Sequence, residues 1–385
     1  MTQRLRIAIL AHSTNPRGGV VHALELGDAL SRLGHEATVH APDASGAGFF
    51  RAARCATVGI AASPVGRDVT AMVETRVADY VRHFEPAHRR CFDVWHAQDG
   101  ISGNALATLK QRGLIGGFAR TVHHVDAFAD PRLSALQARA IASADRLFAV
   151  SRLWRDWLAR EFGHLPHLVG NGVDTARFSP VTDANDATLR EQLGLAGVPI
   201  VLAIGGVEAR KNTMGILRAF RLLRAAHPQS CLVIAGGASL LDHDAYQAAF
   251  AAALAESGLP ERAVIRTGPL PQALMPALYR AADVLAFPSI KEGFGLVVLE
   301  AMASGVPAVT SRMAPFTEYL GEDDVLWCDP HRPESIAAAM GAALDASVRA
   351  RLIARGFEVA ARHDWAAAAC AHLPAYRALN EAAYA

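Results

Sequence analysis

The sequence predicts an α/β protein made of two parallel-sheet domains, on three observations. It has 385 residues, more than the roughly 250 to 300 at which a single hydrophobic core usually divides. Short apolar runs bounded by turn residues alternate with longer helical patterns through both halves, which is the rhythm of βαβ units. Hydrophobic residues make up 51% and charged residues 19%, a balance that fills a core and argues against disorder.

In the first half, strands are expected from Arg6 to His12, Glu36 to Ala41, Phe92 to Ala97, Arg120 to Val125, Arg146 to Ser151 and His167 to Gly170. In the second half they are expected from Ile200 to Gly205, Cys231 to Gly236, Val264 to Gly268, Val284 to Pro288, Pro307 to Thr310 and Val325 to Cys328. Asn171-Gly172-Val173-Asp174, followed by Pro180 and a polar stretch through Asp183 and Asp186, marks the boundary. The expected organisation is residues 1–170, residues 171–360, and a helical tail 361–385 that packs back on the first domain. Two doubly wound sheets facing each other bind ligands at the carboxyl ends of their strands, so the active site is expected in the cleft between them.

Composition narrows the function. The formal charge is +1 and basic residues are scattered, so a nucleic-acid partner is not expected. Five cysteines, far apart and without a CxxC pair, read as reduced core thiols and not as a zinc or redox centre. The apolar run Ile7 to Ala11 is too short for a signal-peptide core, and no segment reaches the roughly 20 apolar residues that cross a bilayer. A cytoplasmic protein is expected, with at most peripheral membrane contact. The basic stretch Arg76 to Arg90 could supply that contact if the acceptor is a lipid, although a solvated helix face accounts for it better.

The most informative stretch runs from Pro288 through Glu292-Gly293-Phe294-Gly295-Leu296 to Glu300 and Gly305, joining a strand end, a glycine turn and a helix. From Leu296 to Ala303 the helix is apolar apart from Glu300, which predicts a buried helix carrying a buried carboxylate. Glu300 either pairs with an internal arginine or accepts two hydrogen bonds from neighbouring ribose hydroxyls. Gly293 and Gly295 let backbone amides approach a phosphate at a helix N-terminus, and Glu292 stands where a sugar hydroxyl could reach it.

Gly205-Gly206-Val207-Glu208-Ala209-Arg210-Lys211-Asn212 forms a second strand-to-helix turn. Arg210 and Lys211 at a helix start oppose its dipole and call for an anion, such as a pyrophosphate, unless both are solvated surface charges. In the first half, Gly18 and Gly19 open a helix in a turn that is equally a phosphate contact or a plain tight turn, since it is not GxGxxG. His96 and Asp99 follow one strand, and His123 and His124 end another. Neighbouring strand residues point to opposite faces, so either histidine, but not both, reaches the crevice. A metal site from His96, Asp99 and His123 is conceivable, but no spacing supports it.

These stretches together resemble the large glycosyltransferase family 4, whose fold is GT-B, two Rossmann-like domains, and whose members are retaining. The resemblance covers nearly the whole chain. Its most specific part is the EX7E pattern, here Glu292 through Glu300, and it takes in the Gly-Gly-Val loop, His96 and Asp99, Thr121-Val122-His123, Asn-Gly-Val-Asp and the Lys211 turn. It implies that Lys211, the amides from Gly293 to Gly295, and the flanking Phe294 and Leu296 bind the donor phosphates. It further implies that Glu300 binds ribose, that Glu292 and His123 meet the transferred sugar, and that Gly18 and Gly19 close on the pyrophosphate. The acceptor lies past His96 and Asp99. Many members have Gly-Arg where this chain has Gly205-Gly206, and Arg210 is the expected substitute.

The implied reaction is metal-independent transfer of a hexose-type sugar from a nucleoside-diphosphate sugar to a hydroxyl acceptor. A sugar-nucleotide 2-epimerase and a catalytically weak sugar-nucleotide binder are the alternatives. An NAD dehydrogenase fits the α/β rhythm but not the first turn.

Overall fold

The computed structural model describes residues 3–195, 199–237 and 244–384. The chain divides into two compact units, Met1–Gly172 with Trp365–Ala385, and Val173–Asp364.

The first unit is a 7-stranded sheet of β1 (Arg6–Leu10), β2 (Glu36–Asp43), β3 (Ala56–Ala61), β4 (Val94–Ala97), β5 (Ala119–Val122), β6 (Arg146–Ala149) and β7 (His167–Leu168), in the order β3-β2-β1-β4-β5-β6-β7. All its strand pairs are parallel. The second unit is a 6-stranded parallel sheet of β8 (Ile200–Ile204), β9 (Cys231–Ala235), β10 (Val264–Gly268), β11 (Val284–Phe287), β12 (Ala308–Ser311) and β13 (Leu326–Cys328), ordered β10-β9-β8-β11-β12-β13.

Strand order reverses between β1 and β4 in one sheet and between β8 and β11 in the other. At such a switch point the turns leave in opposite directions and open a crevice at the carboxyl ends. The turns that follow these four strands are Gly18-Gly19, Gln98-Asp99, Gly205 to Lys211, and Pro288 to Gly295.

Burial explains why the central strands form. Ile7, Ala8, Ile9 and Leu10 of β1 are all 0% exposed, covered on both faces as a parallel sheet requires. Tyr80, Phe84, Trp95, Leu106 and Phe118 pack together on one side of it, each large apolar side chain contributing about 1.5 to 3 kcal/mol on burial. In the second unit, Ile216, Leu217 and Phe220 of the helix Thr213–Ala226 pack with Phe250, Val284 and Val309.

Several sequence expectations need correction. β3 was not expected: it is an edge strand, Ile60 is its one buried side chain, and Gly59 interrupts its pattern. The polar stretch after Pro180 is not all linker, because Asp183 caps the helix Ala184–Leu193 and Arg280 bonds Asp186. The cysteines are not all core thiols: Cys55, Cys231 and Cys328 are buried, but Cys91 and Cys370 are exposed, and all five are free.

Arg76 does not belong to a solvated face. It is buried in the helix Val69–Phe84 and donates to the Ser63 carbonyl at 2.7 Å and to Asp79 at 2.9 Å. Among the described residues, no helix is long and apolar enough to cross a membrane. The C-terminal helix Trp365–Tyr384 lies in the first unit, against the helix Gly18–Arg32 and strands β4, β6 and β7, with Trp365, His372 and Tyr376 buried.

Candidate active site

In the second unit, the turns after β8 and β11 are bound to each other, since Ile290 N donates to Arg210 O at 2.8 Å. Asn212 adopts φ 57, an uncommon conformation for a residue other than glycine. Its side chain explains this by donating to the carbonyls of Pro288 and Pro330 at 3.2 and 2.6 Å. The Arg210-Lys211 pair is thereby fixed beside Glu292.

Lys211 Nζ lies 2.5 Å from Glu292 Oε1, with 11% and 7% of the two side chains exposed. Arg210 Nη1 reaches the same oxygen at 3.5 Å, and its Nε stands 3.1 Å from Oε2 of Glu208, whose side chain is 1% exposed. Lys211 also sits over the Phe287 ring, 4.3 Å from its centroid. Burial works to raise the Glu292 carboxyl, but the Lys211 and Arg210 charges outweigh it and hold it below its ordinary value. Burial lowers the Lys211 ammonium, and Glu292 offsets only part of that.

Gly295 caps the helix Leu296–Ala303 at φ 96 and, as a glycine, supplies no side-chain cap. A Cβ at Gly295 would meet Phe316 at 2.6 Å. Phe294 is 8% exposed and stacks on Tyr319, centroids 4.5 Å apart. Leu296 opens the helix and is half-buried. Glu300, one turn further in, accepts from the Tyr279 hydroxyl at 2.5 Å, a partner that the sequence did not suggest, and it also feels the charge of an internal arginine, Arg177. Burial raises the Glu300 carboxyl above its ordinary value, against the opposing pull of Tyr279 and Arg177.

Gly206 has φ 75, and a Cβ there would lie 2.8 Å from the Gly237 carbonyl oxygen and 3.1 Å from that of Gly236. At Gly205, φ 118, a Cβ would lie 2.9 Å from the Lys211 stem. Both glycines are required, Gly206 by the neighbouring carbonyls and its φ, and Gly205 by a φ that side chains rarely adopt. The turn therefore cannot carry an arginine at position 206 without moving.

In the first unit, the helix Gly18–Arg32 has no side-chain cap. Neither Gly18 nor Gly19 is at positive φ, so a tight turn is not what requires glycine. Nor does the fold's packing require it: a Cβ at Gly19 would lie 3.5 Å from His123, an ordinary contact, and at Gly18 nothing lies within 4 Å.

His123 is half-buried and its Nε2 lies 3.0 Å from Gln98 Oε1. His124 turns outward, 40% exposed, toward Asp126 at 3.3 Å. Burial, and then His22, His124, Arg120 and His12, push the His123 imidazole well below its ordinary value, so it is neutral at pH 7.

His96 corrects an expectation. It is 0% exposed and lies 2.8 Å from Thr121 Oγ1 and 2.7 Å from the Tyr376 hydroxyl, so it is an interior group that cannot meet an acceptor. Its strand is covered on that side by the C-terminal helix. Asp99 caps the helix Gly100–Gln111, accepting from Ser102 N at 2.8 Å, while its Oδ2 is unbonded with His12 at 3.7 Å. Among the described residues, no group of three or more His, Cys, Asp or Glu side chains is arranged to hold a metal ion.

Sequence reasoning missed Glu208, Tyr279 and Gln98 as members of these clusters. Glu208 and Gln98 lie inside the turns after β8 and β4 and are distinguished only by burial. Tyr279 lies 21 residues before Glu300, and no spacing rule connects them.

Residues 16–177 match the family model for Glycosyltransferase Family 4, and residues 185–359 match that for glycosyl transferases group 1. The chain is 30% identical to the D-inositol 3-phosphate glycosyltransferase of Xylanimonas cellulosilytica, in an alignment covering 97% of each. Among solved structures it resembles sucrose-phosphate synthase from Thermosynechococcus elongatus, with a TM-score of 0.80 and 24% identity over 98% of this chain and 100% of that one. It also resembles an Anabaena protein solved with UDP and glucose, with a TM-score of 0.77 and 18% identity over 97% of this chain and 99% of that one. These structural likenesses give the fold, GT-B. Full-length similarity, two family models and the EX7E turn agree on one conclusion: the chain belongs to glycosyltransferase family 4 and is a glycosyltransferase.

Proposed function

We propose that the chain is a retaining, metal-independent transferase that moves a hexose-type sugar from a nucleoside-diphosphate sugar to a hydroxyl acceptor. The observation that carries this reading is the placement of Arg210 and Lys211 on one oxygen of Glu292, in the glycine turn that opens the helix Leu296–Ala303.

Breaking the bond between a sugar and a nucleoside diphosphate builds oxocarbenium character on the sugar and negative charge on the leaving phosphate. Charge-assisted bonds from Lys211 and Arg210 oppose that growing charge, each contributing about 1.5 to 3 kcal/mol. Without a donor, both cations are balanced by Glu292 and Glu208. A bound diphosphate competes for them and leaves Glu292 to take a sugar hydroxyl.

In this reading Glu300 accepts from the ribose, and the amides from Gly293 to Gly295 meet the phosphate. Phe294 and Leu296 shape that turn, one stacked on Tyr319 and the other opening the helix. Gly18 and Gly19 of the first unit serve the diphosphate, His123 serves the transferred sugar, and Asp99 shapes the acceptor side from the helix it caps. Retention follows from attack on the same face as departure, the leaving phosphate taking the acceptor proton.

The test is release of nucleoside diphosphate from UDP-, GDP-, ADP- and TDP-sugars, with and without EDTA, followed by NMR of the product anomer. Turnover of one donor that EDTA does not change, with the donor's anomeric configuration kept, is expected. An inverted product would refute retention, and loss of turnover in EDTA would refute metal independence. Binding of a donor without any release would favour the weak binder.

A further inference from the structure

The first unit carries a chain of buried polar side chains from its C-terminal helix to His123. The Tyr376 hydroxyl, 0% exposed, lies 2.7 Å from His96 Nδ1, and His96 Nε2 lies 2.8 Å from Thr121 Oγ1. Gln98 is 2% exposed. Its amide nitrogen stands 3.3 Å from His96 Nδ1 and 3.4 Å from His96 Nε2, against the ring, and its amide oxygen 3.0 Å from His123 Nε2.

A neutral imidazole has one N–H, and an amide oxygen only accepts. With Gln98 Oε1 facing His123, the hydrogen of His123 sits on Nε2, and Nδ1 keeps its lone pair. Flipping the amide would turn its N–H toward His123 and drive the imidazole hydrogen to Nδ1. One side chain amide therefore decides which form of His123 meets a ligand.

Burial favours the neutral form of both rings, lowering His96 well below its ordinary value together with His372, His22 and His123, and lowering His123 likewise. Among the described residues, these two histidines are the side chains that the Gln98 amide bonds. The nitrogen side of the amide faces the His96 ring, which leaves its oxygen toward His123, and His96 is itself held by Tyr376, 280 residues away in sequence, and by Thr121.

We propose that Gln98 is a positioning residue for sugar transfer: its amide, steadied by His96 and through it by Tyr376, holds His123 in the Nε2–H form and presents Nδ1 to a hydroxyl of the transferred sugar. This rests on the assignment of His123 to the sugar made above. A Gln98→Glu variant keeps an acceptor oxygen in place and preserves the Nε2–H form, whereas Gln98→Leu fills the same space and releases it. A residue needed only for packing gives the opposite ranking, since a buried leucine is tolerated better than a buried carboxylate.

The experiment is two-bond ¹H–¹⁵N correlation NMR of histidine-labelled full-length protein, beside steady-state kinetics on the UDP-, GDP-, ADP- or TDP-sugar that gives the fastest nucleoside diphosphate release. Expected are an Nε2–H signature for His123 in the wild type and in Gln98→Glu, and mixed forms in Gln98→Leu. The Leu variant is expected to lose roughly ten- to a hundredfold in kcat, by analogy with the loss when a metal-bound histidine loses its orienting partner, with the donor KM unchanged. Circular dichroism melting confirms that each variant is folded. An Nδ1–H form in the wild type, or a Leu variant as active as wild type or more active than Glu, overturns the proposal. Wild-type turnover by His123→Ala removes the sugar assignment itself, and with it the catalytic half of the proposal, while the tautomer result stands on its own.

Discussion

The Tyr279 hydroxyl donates to Glu300 Oε2 at 2.5 Å, and Tyr279 is itself 0% exposed and set edge-on to Phe178, centroids 5.6 Å apart. A buried tyrosine therefore holds one of the two oxygens of the carboxylate assigned to the ribose.

Tyr279→Phe removes that bond and leaves its space filled. The expected loss of stability is about 1 kcal/mol at neutral pH, the net worth of a hydrogen bond at a half-buried carboxylate, with a raised donor KM. Tyr279 favours the ionised form of Glu300, whose folded pKa already lies above its ordinary value because of burial. Above that folded value the wild type carries an ionised Glu300, so the deficit of the variant grows as pH rises and shrinks toward pH 5. Urea unfolding at pH 5 and pH 8 checks this; an equal deficit at both would contradict it.

Lys211 and Glu292 form a buried pair, so removing one partner strands the other. Lys211→Met and Glu292→Leu are each expected to cost about 3 to 5 kcal/mol, and the double variant less than the sum. Transfer should be lost in all three. Denaturant titration of the three variants gives the coupling, and strict additivity would show that the pair is not acting as one.

Glu292 also predicts an acid limb. Its folded pKa is lowered, by Lys211 and Arg210 against burial. Such a carboxylate contributes stability that is present above its ordinary value and lost as pH falls through the folded one. Glu292→Gln should be less stable at pH 7, and its stability should fall less between pH 5 and pH 3 than that of the wild type. Parallel melting curves across that range would count against it.

Gly206→Arg restores the residue that many family members have, yet it should not restore function here. The left-handed backbone at φ 75 costs a side chain roughly 1 to 2 kcal/mol, and the contact with the Gly237 carbonyl at 2.8 Å adds to that. Thermal melting should show a lower Tm, with no gain in turnover. Unchanged Tm and faster release would mean that the 236–237 backbone yields easily.

Gly19→Ala separates space from conformation. Gly19 lies in a helix at ordinary φ, and a methyl group added there would stand 3.5 Å from His123, so the fold should tolerate alanine or gain about 0.5 to 1 kcal/mol. Donor KM should nonetheless rise, because the methyl occupies the approach to His123. Calorimetry and kinetics on one sample decide whether the two effects part.

The sequence by itself determined the α/β class, the strand-turn-helix segments and the turns that carry Lys211, Glu292 and Glu300. Those features are local: hydrophobic period, glycine position and short spacing are written in consecutive residues. The tertiary structure decided which of the nominated side chains have partners. His96 and Asp99 share one turn in sequence, yet one is sealed beneath Tyr376 and the other keeps an unbonded oxygen. Glu300 needed Tyr279, Gln98 needed His123, and Gly206 needed Gly237 before any of their roles could be argued. The physical reason is that burial, hydrogen-bond direction and clash depend on distances between residues far apart in the chain, which strand order fixes and local pattern does not.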